Sequence, residues 1–376
     1  MPSTRQARWL PTVDEGYRHM LAVVEQARTS VRLETYIFKA DGPGGRFGAA
    51  LRVAAERGVR VRVLLDSFGS SELPADFWDG LRAAGGEARF FNPLNLRRIV
   101  FRDHRKLLVA DEDRAVVGGF NIAPEYEGNG VERGWRDLGL ALEGEAARRL
   151  AASFDVMWDH CEFRHPRGFR LRLSRLKRLL RERGSAEVIA TGPGLGRNQF
   201  RTALMRSLRT AREVRIAAAY FVPGFRLRRA LARVARRGGR VQLLLAGKSD
   251  VAVAQAAGRT YYAALLRVGV EIAEYQPQIL HAKLALVDDT VFAGSSNLDA
   301  RSLDINYEIM VRLADPTLAG QGRAIFAADW ARARRITRRG WRRTRSWLDR
   351  WAGTVAWFLL TKVDPWLARR QLRRLT

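Results

Sequence analysis

A chain of 376 residues, 47% of them apolar, is long enough for two domains with a core each and too apolar to be disordered. Its single cysteine, Cys161, excludes an internal disulfide framework and a cysteine-based zinc site, and fits a reducing compartment. The net charge of +27 is unevenly spread: residues 164–183 hold +8 and residues 331–376 hold +12, so the basicity belongs to two local surfaces and not to the body of the chain.

Met1 to Arg18 is polar and lacks the apolar centre of a signal peptide. No stretch reaches the roughly 18 apolar residues that a spanning helix needs, and the longest, Trp351–Leu360, is too short. The chain is therefore expected to be intracellular, with any membrane contact peripheral. Tyr17, Met20, Leu21 and Val24 share one helical stripe; a β-branched strand follows over Val31–Phe38, then a helix ending at Gly58, a strand to Leu65, and the segment Gly86–Pro93. The same order returns further on. Val214–Phe221 matches Val31–Phe38, Arg237–Leu245 matches Arg57–Leu65, and Val270–Pro277 matches Gly86–Pro93, at offsets of 183, 180 and 184 residues. Nearly constant offsets mean a duplication. Helix and strand alternating within each half predict an α/β fold, each half a mixed β-sheet flanked by helices.

This divides the chain into an N-terminal domain over residues 1–163, a basic connecting segment over 164–184, a C-terminal domain over 185–330 and a basic, Trp-rich tail over 331–376. Phe169, Leu173, Leu176 and Leu180 give the connecting segment an amphipathic helical pattern.

Each half carries one chemical motif at the corresponding place. In the first, His104, Lys106 and Asp111 stand in a His-x-Lys-x4-Asp pattern, followed by Gly118-Gly119-Phe120-Asn121. In the second, His281, Lys283 and Asp288 repeat it, followed by Gly294-Ser295-Ser296-Asn297. Residues two apart on a strand point to the same side, so His and Lys of each copy are expected to project together. The glycines let the chain turn and return Asn121 and Asn297 to the same place. Asp137 and Glu308, 33 and 27 residues past their histidines, could each accept a hydrogen bond from an imidazole and fix its tautomer.

Such a set suits in-line displacement at a phosphodiester. One neutral imidazole attacks phosphorus to give a phosphohistidine, and the other protonates the leaving alcohol and deprotonates the incoming one. Lys106, Lys283, Asn121 and Asn297 are expected to stabilise the non-bridging oxygens, so the chemistry calls for no metal and no cofactor. One copy of the pattern is easily met by chance; two in register are not. Only six lysines occur beside 60 arginines, yet both motif positions hold Lys, and a compact ammonium is not interchangeable with a guanidinium. The bland alternative, two histidines capping strand-edge turns, explains neither fact. It does suit His19, His160 and His165, which are expected to be surface or packing residues.

These motifs, together with Leu33–Phe38, Arg60–Gly69, Phe91-Asn-Pro93 and Gly294–Leu303, resemble the twin-motif phospholipase D superfamily, and within it the bacterial cardiolipin synthases. The resemblance implies two similar domains packed as a pseudo-dimer around one shared site, with His104 opposed to His281. It also implies that His104 is the nucleophile and His281 the acid/base. Glu34 and Tyr36 end a strand that matches the family and are expected near the pocket. Gly119 stands where the second copy has Ser295, which removes one candidate phosphate donor from that side.

The tail holds five of the ten tryptophans. Trp347, Trp351, Val355, Phe358 and Leu359 follow helical spacing beside a densely basic run, as an interfacial helix on anionic lipid would; packing of this helix on the body is the alternative. The expectation is a peripheral enzyme on the cytoplasmic face of the membrane, transferring a phosphatidyl group from one phosphatidylglycerol to another. A hydrolase, a nuclease using the same motifs on the basic surface, and a catalytically silent membrane protein are the competing classes. The tryptophans argue against nucleic acid, and the intact motifs against silence.

Overall fold

Continuous apolar runs such as Leu107–Ala110 and Leu284–Val287 become strands buried on both faces, covered by helices. The computed structural model describes residues 7–93, 100–161, 186–193, 195–344, 346–364 and 366; the connecting segment 164–184 and His165 lie outside the described residues. Among the described residues fifteen strands form two sheets. The first runs β1 (Ala7–Leu10), β7 (Gly139–Glu143), β6 (Arg114–Gly118), β5 (Leu107–Ala110), β2 (Ser30–Thr35), β3 (Arg60–Asp66), β4 (Glu87–Phe91). The second repeats that order with β8 (Ala186–Thr191), β14 (Glu308–Ala314), β13 (Thr290–Gly294), β12 (Lys283–Val287), β9 (Glu213–Ala218), β10 (Arg240–Ala246), β11 (Glu271–Tyr275), and adds β15 (Ala333–Ile336). The duplication read from the offsets is thus a duplication of topology. In each sheet three strands are parallel, β2–β4 and β9–β11, and the motif strand runs antiparallel to the first of them.

Alternation along the strands sorts side chains into three cores. Val31, Leu33, Val63 and Leu108 face outward onto the helices Val13–Glu25 and Pro43–Glu56. Val214, Ile216, Leu243 and Ala285 face outward onto Gln199–Ser207 and Phe225–Arg236. Between the sheets, Leu64, Leu107 and Val109 of one half share a core with Leu244, Leu284 and Leu286 of the other, filled by helices Glu145–His160 and Pro316–Ala331. Each such side chain contributes about 1.5–3 kcal/mol on burial, so the shared core binds the halves into one body.

Polar contacts then set the register of the halves. Reciprocal bridges join Asp103 to Tyr307 and Arg136 to Leu280. The amide of His104 donates to the Tyr307 carbonyl at 3.0 Å, and that of His281 to the Arg136 carbonyl at 2.8 Å. Nε of Arg136 also donates to both carboxylate oxygens of Asp329, at 2.8 and 2.9 Å, a buried pair across the seam.

The motif aspartates sit at the end of β5 and β12 remote from the histidines. Asp111 and Asp288 adopt left-handed backbone, with φ of 54° and 50°, which an aspartate tolerates better than most residues. The Asp111 carboxylate accepts the amides of Thr29 (2.8 Å), Arg28 (3.1 Å) and Ser30 (3.2 Å); that of Asp288 accepts those of Arg212 (3.0 Å) and Glu213 (2.8 Å). Both fasten the turn after the motif strand to the start of its neighbour. They hold the motif strand in register, and the structure does not bring them to the histidines.

The region from residue 331 differs from a free tail. Ala333–Ile336 pairs with β11 as an edge strand, because Arg334 reaches the buried Glu274 at 2.6 Å and Arg335 stacks 4.5 Å over Trp330. The Trp341 ring lies 4.7 Å from that of Tyr262. Only then does the helix Trp347–Phe358 follow, with a Ser346/Asp349 capping box.

Burial opposes ionisation of Asp111, but the amides of Thr29, Ser30 and Arg28 outweigh it and hold the carboxyl at about 2. A folded-state pKa below the unfolded one gives stability that is present above about pH 4 and is lost as pH falls towards 2. Asp111→Ala is expected to lower unfolding stability by about 1–3 kcal/mol at neutral pH and to flatten this acid limb, as read by thermal melts from pH 7 to 2.

Candidate functional site

Because β5 and β12 run against β2 and β9, the residues just before them emerge at the carboxyl ends of the parallel strands, where open α/β sheets place their sites. His104 and Lys106 lead into β5; His281 leads into β12, which begins at Lys283. In both copies the lysine folds back on its own histidine: Nζ of Lys106 donates to the His104 carbonyl at 2.6 Å, and Nζ of Lys283 to the His281 carbonyl at 2.5 Å.

The carboxylates are exchanged between the halves. Nδ1 of His104 lies 3.0 and 3.1 Å from the two oxygens of Glu308, which begins β14 of the second sheet. Nδ1 of His281 lies 2.6 Å from Oδ2 of Asp137, just before β7 of the first. Each imidazole is therefore oriented by the opposite domain, and each keeps Nε2 as its presented nitrogen. Around His281 the Tyr126 hydroxyl stands 3.4 Å from Nε2, and the Lys283 ammonium 2.9 Å from it. Beside His104, the Tyr36 ring lies at 5.0 Å, with the Lys106 ammonium 5.1 Å from its centre.

The remaining predicted residues divide. Asn121 is buried and engaged: its Oδ1 accepts the Ile37 amide at 3.0 Å, and its Nδ2 donates to the Tyr126 hydroxyl at 2.7 Å. Its contact with the site runs through Tyr126. Asn297 is also buried, and its Oδ1 has no hydrogen-bond partner among the described residues. The Ser295 hydroxyl donates to Glu308 at 2.5 Å and accepts the Ile309 amide at 3.0 Å, so it braces the carboxylate that orients His104. At Gly119, the counterpart of Ser295, an added Cβ would lie 2.5 Å from an Asp137 carboxylate oxygen. The missing side chain there makes room for Asp137.

Burial is the largest influence on every titrating group here. It pushes the His104 imidazole well below its ordinary range, helped by Lys106, Lys283 and His281. His281 falls to about 4 through burial and Lys283, against the pull of Asp137. Burial likewise lowers Lys106 to about 7 and Lys283 to about 8, against the attraction of nearby carboxylates, and raises Glu308 to about 8 against Lys106. The free site thus holds neutral imidazoles and lysines only partly committed to charge.

Sequence reasoning left Arg136 and Tyr126 unplaced, and set Glu34 near the pocket without its partners. Arg136 ties Asp137 to the opposite domain, donating to the Asp137 carbonyl at 2.8 Å while it pairs with Asp329; its position next to Asp137 was the available signal. Tyr126 carries no motif at all. Glu34 is fully buried, 3.1 Å from Arg105, with Asp103 against both. The second half holds Ala217, Leu280 and Ala282 at the matching places, so this charged cluster flanks only the first histidine.

Comparison with known proteins shows the family. The sequence profile of the family described as "Cardiolipin synthase, PLD-like domain" matches residues 20–158 and 204–330, one match in each half. Cardiolipin synthase 1 of Bacillus cereus is 31% identical over 79% of this chain, which spans 61% of that protein's length. Cardiolipin synthase B of Escherichia coli is 34% identical over 87% of this chain and 82% of its own. Among solved structures, phosphatidylserine synthase of Haemophilus influenzae superposes with a TM-score of 0.73 at 14% identity, covering 96% of this chain and 95% of the other. That likeness shows the fold. With both halves matched and the motifs in one seam, the chain belongs to the phospholipase D-like cardiolipin synthase family.

Proposed function

We propose that the protein is a phosphatidyltransferase that makes cardiolipin from two molecules of phosphatidylglycerol. The observation that carries this reading is the pair of imidazoles, each with Nδ1 held by the opposite domain's carboxylate, and with the Lys283 ammonium and the Tyr126 hydroxyl at Nε2 of His281. In the proposed cycle Nε2 of His104 attacks the donor phosphorus, and the phosphorus–oxygen bond to the head-group glycerol breaks. His281, protonated at Nε2 once the phosphodiester anion is bound, gives the departing oxygen that proton, with Asp137 supporting the imidazolium. His281 then takes the proton from the free hydroxyl of a second phosphatidylglycerol, whose oxygen displaces His104 from phosphorus. Lys106 and Lys283 offset the charge on the non-bridging oxygens. The exchange trades one phosphodiester for another and needs no external energy source.

The tail supports a lipid substrate. On helix Trp347–Phe358, Gly353, Ala356 and Trp357 face the body, chiefly the helix Ala252–Arg259. The opposite side leaves Trp347 74%, Trp351 65% and Phe358 53% exposed. Phe68, Phe225 and Val251, each just past the carboxyl end of a parallel strand, are exposed as well. No helix among the described residues is long and apolar enough to cross a membrane. Apolar groups on the face that holds the site fit an enzyme that rests on the bilayer it consumes.

Three outcomes test this reading. Purified protein with phosphatidylglycerol vesicles is expected to release glycerol and form cardiolipin, with His104→Ala reducing both below detection; formation of neither product by the wild type overturns the proposal. Attack through Nε2 requires Nδ1 to donate to an ionised Glu308, so kcat/KM is expected to rise as that carboxyl ionises near 8 and to fall as Lys106 and Lys283, near 7 and 8, lose their protons. The profile is a narrow bell with its maximum at about pH 7–8, and Glu308→Gln lowers its height on the order of 10²-fold; a flat profile from pH 6 to 9 contradicts it. Trp347→Ser with Trp351→Ser is expected to weaken sedimentation with anionic vesicles at least about tenfold.

A further inference from the structure

Two guanidinium groups stand at the rim of the site without a part in the displacement. Arg102, two residues before His104, is buried, with its guanidinium 4.2 Å over the half-exposed Phe68 ring and Nη1 on the Phe101 carbonyl at 3.1 Å. Arg301 lies in the short helix Ala300–Asp304, just after the Asn297 loop, and donates Nη1 across the seam to the Val100 carbonyl at 3.3 Å. The field of both cations reaches the hydroxyl of Tyr36, whose ring flanks His104. They also act on each other, the Arg301 charge adding to burial in weakening the hold of Arg102 on its proton.

Their carboxylate partners are unequal. Asp66 is buried and committed to the amides of Phe68, Gly69 and Asp103. Asp364, beyond the tail helix, meets Arg301 fork to fork: Nε to Oδ2 at 3.0 Å and Nη2 to Oδ1 at 2.9 Å. That geometry accepts a carboxylate or a phosphate alike. The tail that carries the exposed tryptophans thus sets an acid on a phosphate-competent arginine that also reaches across the seam to Val100.

We propose that Arg301, with Arg102, forms the seat for a second phosphodiester, that of the acceptor lipid, and that Asp364 holds this seat until an anionic phospholipid displaces it. The proposal rests on the phosphatidyl-transfer reading and deepens it. A phosphatidylglycerol acceptor brings its own phosphate a glycerol unit away from the attacking hydroxyl, so one anion sits at His104 and the lysines and another just outside. A neutral alcohol brings none, and the seat therefore selects the lipid acceptor over small alcohols and water.

The test is a competition between acceptors, using the full chain on phosphatidylglycerol vesicles with ethanol added, and reading the ratio of cardiolipin to phosphatidylethanol. Arg301→Gln is expected to lower this ratio about tenfold, the scale of one charge-assisted contact, and Arg102→Gln to shift it the same way. Asp364→Asn is expected to lower the KM for phosphatidylglycerol as acceptor. A fall of both products in proportion in Arg301→Gln, or a rise in KM in Asp364→Asn, makes the contact a structural tie and overturns the seat. Glycerophosphoglycerol, the deacylated and soluble form of the same phosphodiester, separates the two sources. The proposal expects it to compete only far above the lipid concentration, and equal potency overturns the lipid assignment. If the wild type makes neither product, the transfer reading falls and takes the seat with it.

Discussion

The crossed hydrogen bonds from His104 to Glu308 and from His281 to Asp137 are the constraint on which the remaining structure depends. A buried imidazole has two possible tautomers and free rotation; a carboxylate at Nδ1 removes both freedoms. Neither half can supply its own carboxylate, so the site exists only when the two sheets pack in one register. The shared apolar core, the reciprocal bridges at Asp103 and Arg136, and the Arg136–Asp329 pair all serve that register. The remote aspartates of the motif serve it too, by fixing where each motif strand begins and ends.

Duplication gave two equal halves, but the proposed displacement needs two unequal histidines. The structure holds the differences. Ser295 hydrogen-bonds Glu308, whereas Gly119 yields its space to Asp137. A buried Glu34–Asp103–Arg105 cluster backs the strand that leads from His104, where the other half has only alanine and leucine. Tyr126 approaches His281, and Tyr36 faces His104. His104 also keeps the greater access, its side chain 12% exposed against 5% for His281, which suits the nucleophile of the proposed transfer.

Much of this was legible in the chain. Constant offsets between Val31–Phe38 and Val214–Phe221 forecast two sheets of one topology, and the strand period put His and Lys of each copy together. Asp137 and Glu308 were found as imidazole partners, but spacing along the chain cannot say which histidine each one meets. The exchange is a property of packing between halves. Asp111 and Asp288 looked like site residues because they share the motif; only the strand's length and the left-handed turn reveal that they lie at its other end. Tyr126, Arg102 and Arg301 carry no spacing signal, since their neighbours come from distant segments. The tail was half legible: the stripe of Trp347, Trp351 and Phe358 is exposed as its period required, while Trp341 and Trp357 pack on the body, a division no composition could give.

The central claim is that one of two chemically similar histidines, selected by this asymmetric setting, carries the phosphatidyl group between two alcohols. Its most direct test is to quench wild-type enzyme with phosphatidylglycerol labelled at phosphorus, digest it under conditions that spare a phosphorus–nitrogen bond, and locate the label by mass spectrometry. The account predicts an adduct on the peptide containing His104, formed and consumed at the rate of turnover. An adduct on His281, or turnover with no label on either histidine, would contradict it.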